Sequence, residues 1–526
     1  MPTLKSAGLR WSFAAKLAAA IALVALADAL FFLEEFGWTL GLFALAWVIV
    51  LALAVPAVRR NRGALFALLS AGFLGLVMVE DPNPLAWLLF WVALSSAALL
   101  PRRRFDDAAR WALRLALQAV SSVVAPIQDV VRLGRARDRV RGRSGFKRLL
   151  TTLLLPLAGS AVFLWLFAIA NPLIGNALGS VRLPAFTFEN VLRLFFWALV
   201  SAAIWPTLRP RALVTRLGLE GGEGPELPSA SLASLRLSLL AFNLIFAVQN
   251  ALDLAFLWSG APLPEGVTLA GYAHRGAYTL IATALLAGLF VLLAFAPRAA
   301  SARDPLIRRL VVLWTAQNLL LVASSMLRLG DYVDAYSLTV LRIAAFAWMA
   351  LVASGLLLIV WRMLRGRSAG WLINANAGAA ALVLTLASVA DLGAIAAWRN
   401  VAQAREVDGT GAALDLCYLR QLGSSALLPL IELEGRVRQP ELRDRVAAVR
   451  ADLQSDLARR LADWRQWSWR DARRLRAVEA RLGARPLQPR AAGSGRRCDG
   501  SLVPPPELPT LAVPPASSPL TRGAER

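Results

Sequence analysis

Eleven apolar segments of about membrane-crossing length constrain the fold of this chain more than any other feature. About 20 helical residues cross a bilayer core, and hydrocarbon offers no partner for an unpaired backbone group, so each segment is predicted to be a helix. The composition agrees, because 57% of the 526 residues are hydrophobic and 17% are charged, whereas about a quarter are charged in soluble domains. The sequence therefore predicts an all-α, polytopic transmembrane helical bundle with spans at 17–33, 38–58, 64–79, 85–100, 149–170, 191–208, 232–257, 277–296, 306–326, 338–361 and 371–397.

The start of the chain resembles a signal peptide, with Lys5, Arg10 and Lys16 before an apolar run. That run is longer than an ordinary signal core, and no convincing cleavage site precedes Glu34. We therefore interpret it as a retained first span.

Charges alternate between the loops. Arginines follow every even-numbered span, and the intervening loops are acidic or neutral. By the positive-inside rule, this pattern places the N-terminus of a multi-pass membrane protein in the cytoplasm and its C-terminus outside. The net charge of +23 follows from these flanking arginines, so we expect no nucleic-acid partner. The basic clusters are Arg59, Arg60 and Arg62; Arg102 to Arg104; Arg209, Arg211 and Arg216; Arg298, Arg303, Arg308 and Arg309; and Arg362, Arg365 and Arg367.

Composition divides the chain into five regions: a four-span bundle at 1–104, a cytoplasmic segment at 105–148, a seven-span core at 149–397, a helical tail at 398–485 and a disordered Pro-rich end at 486–526. The cytoplasmic segment is amphipathic over Asp106 to Leu133 and then strongly basic. It is typical of an interfacial helix whose basic run binds anionic lipid headgroups. A plain retention signal is the alternative.

The tail has helical periodicity from about Pro440 to Leu482, and it carries Trp464, Trp467 and Trp469. The i, i+3 spacing places Trp464 and Trp467 on one helix face, where they either contact lipid headgroups or pack onto the preceding helix. Long segments cross the membrane largely regardless of charge, so the basic tail remains outside in this interpretation. Disulfides persist in that compartment, which makes Cys417 and Cys498 a disulfide candidate; two free thiols are the alternative.

The segment from Gln249 to Tyr278 holds the only histidine of the chain, between two tyrosines. Ionisable residues inside a membrane usually pair with one another or face a wet cavity, so we expect a polar pocket on the outer side. The pocket candidates are His274, Arg275, Tyr272, Tyr278, Asp253, Asn250, Gln317, Asn318, Asp331, Tyr336 and Arg342. No catalytic residue, cofactor or metal site is assigned, since one histidine without a Cys/His cluster supports no zinc site.

Two pairs of motifs form a weak parallel repeat. Gln249-Asn250 is matched by Gln317-Asn318, and Ala277-Tyr278 by Ala335-Tyr336. The paired amides either bond across helices or line a cavity. Arg342 is expected to pair with Asp28, Asp253 or Asp391.

Three stretches together resemble a known family: YAHRGAYTLIATALLAGLFVL, the stretch from Tyr336 to Arg342, and LDLCYL with the nearby LGSSA at 422–426. They are similar to the bacterial polytopic membrane proteins catalogued as domain of unknown function 4173, or to the related family numbered 4153. The likeness covers roughly Leu150 to Glu434. It implies a multi-span inner-membrane protein and no particular activity.

Three functions remain open from the sequence. The first is a non-enzymatic sensor or subunit of an envelope complex, with a polar outward-facing pocket and the tail contacting an envelope protein partner. The second is a secondary transporter, suggested by the intramembrane charges and the repeat. The third is an enzyme acting on envelope or lipid-linked substrates.

Overall fold

The computed structural model describes residues 3–122, 128–129, 187–210, 231–259, 304–408, 411–482 and 496–502, with the isolated residues 153, 156, 159, 160, 163 and 286. In this part of the chain the regular elements are helices, and one antiparallel bridge joins Arg496 to Leu502. The predicted all-α helical class is confirmed.

The described helices fall into two groups. The first group contains the apolar helices and their short connecting helices: α1 (Thr3–Phe31), α2 (Thr39–Ala54), α3 (Pro56–Arg60), α4 (Arg62–Glu80), α5 (Pro84–Leu99), α6 (Ala108–Ser122), α7 (Phe188–Leu208), α8 (Leu232–Ser259), α9 (Pro305–Tyr336), α10 (Val340–Arg365) and α11 (Ala369–Val389). The second group contains α12 (Leu392–Ala402), α13 (Arg405–Asp408), α14 (Leu416–Gln421), a 3-10 turn (Gly423–Ala426), α15 (Leu427–Arg436), α16 (Pro440–Ala462) and α17 (Trp469–Leu482). We call residues 392–482 and 496–502 the cap domain.

Seven of the described helices are long and apolar enough to cross a membrane, and α2 and α5 are shorter apolar helices. Together they overlap nine of the predicted spans. Apart from the isolated residues named above, the predicted spans 149–170 and 277–296 lie outside the described residues, as does the basic run after Leu133.

The last predicted span, 371–397, is too long at its C-terminal end. Helix α11 ends at Val389, and Asp391 begins α12 by accepting a hydrogen bond from the Ala394 N–H. An N-cap residue has non-helical backbone angles, and its side chain accepts hydrogen bonds from the first N–H groups of the helix that follows. The preceding helix therefore ends before Asp391.

Helix starts elsewhere follow the same chemistry. Asn83 precedes Pro84 and accepts from the Ala86 N–H at 2.8 Å. Asp304 precedes Pro305 and accepts from the Leu306 and Ile307 N–H groups. Proline suits the first helical position because its missing N–H would be unpaired there.

One apolar core joins α1, α2, α4, α5 and α7, and it includes the aromatic residues Trp47, Phe90 and Trp205. Helices α1 and α7 are antiparallel, since Phe13 contacts Trp205 and Asp28 pairs with Arg193. A second core joins α8 to α11 around Trp314.

The arginine-rich helix ends meet on one side of the bundle, which we call the basic side. There the Asn61 amide donates to the Leu100 carbonyl, and Arg102 donates to Pro210 O. Helix α6 lies on this side, because the Ala108 N–H donates to Asn374 Oδ1 at 2.7 Å.

Helix α6 turns its polar residues inward. Arg114 is buried against Asp106, with both guanidinium contacts at 2.7 Å, and Gln118 is also buried, while Leu113 and Val120 are exposed. Arg114 lowers the pKa of the Asp106 carboxyl below its ordinary value. An outward apolar face is the arrangement that the interfacial prediction requires.

The cap domain has a core of its own, built from α12 and α14 to α17 around Leu430, Val446 and Leu457. A buried ion pair joins α15 to α16, with Arg450 Nε 2.7 Å from Glu434 Oε2. Two sequence predictions differ from the structure. The helical segment 440–482 is interrupted at 463–468, and residues 496–502, predicted to be disordered, lie against α16 through Arg445–Asp499 and Arg496–Asp444 ion pairs.

Gly41 allows α2 and α4 to pack closely, since a Cβ at this position would lie 2.4 Å from Val79 N and 2.6 Å from Gly75 O. We expect Gly41→Ala to lower the free energy of unfolding by about 1–3 kcal/mol, the usual cost of overpacking. Thermal unfolding of the purified protein in detergent measures it.

Gly72→Ala is the matched control, because a Cβ there meets no atom within 4 Å. It is expected to be neutral or to stabilise α4 by up to about 1 kcal/mol, the helix-propensity difference. Equal effects of the two substitutions would contradict the close packing of α2 on α4.

Candidate functional site

The cap domain contacts the bundle on the side opposite the basic side, where the loops are acidic. We call this contact the junction. Arginines from the turn before α17 and from its first turns meet carboxylates from two separate loops. Arg470 Nη1 lies 2.6 Å from Asp81 Oδ2, Arg473 contacts Glu80, and Arg465 Nη1 lies 3.4 Å from Glu34 Oε1.

Arg470 occupies the centre of this charge pairing. Its side chain is 15% exposed, and it also donates to the Val389 carbonyl at 2.7 Å. Burial raises the pKa of Asp81, while the positive charge of Arg470 acts in the opposite direction. Partial burial makes this pair less screened by water and salt than an ordinary surface pair.

Trp38 supplies a second anchor. Its backbone N–H donates to the Trp467 carbonyl and its indole Nε1 donates to the Trp464 carbonyl, each at 2.7 Å. The Trp38 and Trp467 rings are edge to face with centroids 5.9 Å apart. The prediction that Trp464 and Trp467 share a helix face is therefore wrong, because both lie in the turn between α16 and α17. Their backbone carbonyls accept hydrogen bonds from Trp38, whereas in a continuous helix they would accept from N–H groups of the same helix.

Gly37 is required for this approach. A Cβ at Gly37 would lie 2.2 Å from the Arg465 carbonyl oxygen. The loop at 32–38 and the turn at 463–468 thus touch backbone to backbone.

A third contact holds the connection between α9 and α10. The Asn400 side chain accepts from the Leu338 N–H at 2.6 Å and donates to the Leu338 carbonyl at 2.9 Å. Tyr418 Oη accepts from the Val340 N–H at 2.9 Å. Ser337 has a positive φ of 69°, which lets the chain turn sharply between α9 and α10.

Asp391 links the last apolar helix to the cap domain. It accepts from the Ser425 hydroxyl at 2.9 Å and pairs with Arg474, which also contacts Asp471 at 2.9 Å. The junction therefore reaches the end of α11 as well as the loops after α1, α4 and α9.

A polar cavity of about 640 Å³ lies where the first acidic loop approaches the cap domain. Its arginines have carboxylate neighbours, since Arg420 pairs with Asp452 and Arg459 with Asp456. The lining residues are Glu35, Arg420, Gly423, Ser424, Leu453, Asp456, Arg459, Arg460 and Gln466.

A polar ladder crosses the contact between α8 and α9. Asn243 donates to the Leu310 carbonyl at 3.1 Å, Gln317 Nε2 donates to Asn243 Oδ1 at 3.0 Å, and Asn250 donates to the Gln317 carbonyl at 3.3 Å. The constant separation of 67 residues in the Asn243–Leu310 and Asn250–Gln317 bonds makes the two helices parallel. Of the matched amides, Asn250 and Gln317 thus bond across helices. Asn318 bonds back to Trp314 O at 2.8 Å, and Gln249 bonds to Asp253 of its own helix.

Asp253 ends the ladder. It pairs with Arg328, and it accepts from Gln249 Nε2 at 2.9 Å and from the Ser324 hydroxyl at 3.0 Å. Both charged side chains are less than a tenth exposed. An opposite charge together with further hydrogen bonds is what a charge out of water requires.

Arg342 does not pair with Asp28, Asp253 or Asp391, as the sequence led us to expect. Asp28 binds Arg193 at 2.8 Å, and the other two carboxylates bind Arg328 and Arg474. Arg342 lies in the first turn of α10, donates to the Tyr336 carbonyl at 2.6 Å and stacks 4.2 Å from the centre of the Tyr332 ring. Its role is to close the α9–α10 connection.

The structure separates the predicted pocket residues into two places. Asp253, Asn250, Gln317 and Asn318 belong to the ladder, whereas Asp331, Tyr336 and Arg342 lie near the acidic ends of α9 and α10, with Asp331 and Tyr336 exposed. His274, Arg275, Tyr272 and Tyr278 lie outside the described residues. Within the described ranges, no group of three or more His, Cys, Asp or Glu residues is arranged to hold a metal ion.

A disulfide joins Cys417 to Cys498 in the structure, across a separation of 81 residues. Cys417 lies in α14 and Cys498 lies in the segment 496–502, so the bond attaches this segment covalently to the helices of the cap domain.

Comparison with protein families finds a match over most of the chain. The model of the family described as Domain of unknown function (DUF4153) matches residues 17–433. The likeness therefore begins in the first apolar helix, well before the Leu150 expected from the sequence motifs, and it ends within the cap domain.

Searches of curated proteins and of solved structures found no match. The family match spans more than half of the chain. Seven of the described helices have the length and apolar composition of membrane-spanning helices. The chain belongs to the DUF4153 family, whose domain has no assigned function.

Proposed function

We propose that this membrane protein acts as a sensor or as a subunit of an envelope complex, through a cap domain outside the bacterial inner membrane. The junction supports this proposal. It connects one helical domain to the ends of several apolar helices by charge pairs and hydrogen bonds. A conformational change in the cap domain would therefore be transmitted to those helices. The 640 Å³ polar cavity at the same place offers a position for a small polar ligand or a partner side chain.

The charge distribution supports the outward placement. The basic side collects Arg102 and Arg209, while Glu34, Glu80 and Asp81 lie at the junction. Positive charge favours the cytoplasmic side. We further propose that the basic run at 132–148 binds anionic lipid and that an envelope protein binds the cap domain.

Arg470→Glu is expected to loosen the junction by placing a carboxylate against Asp81 and Glu80. Hydrogen exchange of the backbone amides in 32–38 and 463–474 should rise several-fold, because like charges at this distance repel. The double variant Arg470→Glu with Asp81→Lys restores opposite charges and should recover most of the protection. Mass spectrometry of the purified protein measures both.

Arg476→Glu is the matched control, because Arg476 lies on the same helix, is exposed and bonds to Ala472 O of its own helix. It should leave exchange at the junction unchanged. In cells, the envelope phenotype of a deletion should be reproduced by Arg470→Glu and rescued by the double variant. Full function of a variant with a loosened junction would contradict the proposal.

Cysteine labelling tests the orientation. Cys417 and Cys498 should resist a membrane-impermeant maleimide in intact spheroplasts until an impermeant reductant is added, and then both should react, since they lie on the cap domain. A cysteine introduced at Arg60, on the basic side, should react only after permeabilisation. Labelling of the Arg60→Cys variant in intact spheroplasts would reverse the orientation.

A secondary transporter is the second candidate, and the ladder supports it. Asn250 Oδ1 and Gln317 Oε1 are buried without a hydrogen-bond partner in the described residues. Unpaired carbonyl oxygens inside a membrane are costly, and they are suitable ligands for a passing cation or water.

Asp253→Asn and Arg328→Gln distinguish the two functions. Each alone should cost about 3–5 kcal/mol of stability by leaving one buried charge unpaired, and the double variant should cost less than their sum. If the ladder transports, the folded double variant should lose proton or sodium flux in proteoliposomes carrying ion-sensitive dyes. If it is structural, wild-type proteoliposomes show no flux and the double variant keeps cellular function.

A further inference from the structure

A groove lies between the basic ends of α9 and α10, far from the junction. Its volume is about 550 Å³, and it is lined by Pro305, Arg308, Arg309, Val312, Leu313, Ala316 and Leu364. Residues 305, 308, 312 and 316 follow one another at helical spacing, so they form a single stripe along α9. Leu364 closes the other wall from α10.

The two ends of the groove differ in chemistry. One end carries the paired guanidinium groups of Arg308 and Arg309, and the other is apolar, with Leu313 and Leu364 about half exposed. In the described part of the chain neither arginine forms an ion pair within 4.0 Å. Asp304, which precedes them in sequence, is held by Arg236 and by two backbone N–H groups.

We propose that this groove binds one anionic glycerophospholipid, with its phosphate on Arg308 and Arg309 and an acyl chain along Val312, Ala316 and Leu364. Position and charge favour this occupant. The groove opens at the basic ends of two membrane-length helices, which is the depth of the headgroups, and basic pockets between transmembrane helices bind anionic lipid headgroups. Arginine suits phosphate because its planar fork donates two hydrogen bonds at once.

Apolar length distinguishes a lipid from free phosphate. A phosphate ion would use only the arginine end, and Val312, Leu313 and Leu364 would remain exposed. An acyl chain covers these side chains and gains from each methylene that it buries. The site is distinct from the basic run at 132–148, which lies elsewhere in the chain.

Native mass spectrometry of the full chain in detergent, titrated with phosphatidylglycerol or phosphatidylcholine, tests the proposal. We expect one phosphatidylglycerol to be retained in preference to phosphatidylcholine. Arg308→Gln with Arg309→Gln should weaken its binding about 25-fold, since each charge near a headgroup changes the constant by roughly five-fold.

The matched control is Arg59→Gln with Arg60→Gln, a second exposed arginine pair on the basic side that does not line the groove. It should leave that binding within about two-fold. Equal weakening by both double variants would mean general attraction to the headgroup layer and would overturn the proposal, as would no weakening by either.

Leu364→Trp provides an arm that keeps both charges. A larger side chain in the apolar part should displace the acyl chain and weaken phosphatidylglycerol binding at least about ten-fold, given the several methylenes excluded. Unchanged binding in this variant, or equal displacement of the lipid by soluble glycerol phosphate, would show a headgroup-only site and overturn the groove.

Discussion

The cap domain stays on the bundle because arginines from the turn before α17 and from its first turns meet carboxylates at separate helix ends and loops. A lone exposed ion pair contributes little, since water and salt screen it. Here Arg470 is largely shielded, and its neighbours Arg473 and Arg474 engage further carboxylates of the bundle. The backbone N–H of Trp38 and the side chain of Asn400 then fix the relative position of the two parts, which charge alone would leave undefined. Together these contacts give the junction both attraction and a defined geometry.

Within the bundle an unpaired charge costs more free energy, because less water is present to solvate it. Asp253 and Arg328 are nearly shut off from water, so each depends on the other and on Gln249 and Ser324. The ladder above them leaves two carbonyl oxygens without partners in the described residues. A purely structural contact would gain by satisfying them, and this is why the same helices support a second candidate function.

Much of this architecture could be predicted from sequence, since apolar length and arginine position are local signals. The caps at Asn83, Asp304 and Asp391 set helix starts that the apolar pattern alone misses, as the overlong span 371–397 shows. Of the two alternatives for the matched Gln-Asn pairs, Asn250 and Gln317 adopt the hydrogen bond across helices. Partners of single charges could not be predicted, because the topology left three candidate carboxylates for Arg342. Its side chain instead contacts two backbone carbonyls and a tyrosine ring. The role of Asn400 carried no local signal at all.

The contacts of the junction also impose an order on assembly. Arg470 lies 389 residues after Asp81, and Arg473 lies 393 residues after Glu80. During synthesis these early loops reach their side of the membrane long before their partners exist. Their carboxylates can therefore pair with these arginines only after the later helices have been made. A chain that stops at α11 has all the described apolar helices, yet the carboxylates of its acidic loops lack the arginines of the cap domain with which they pair.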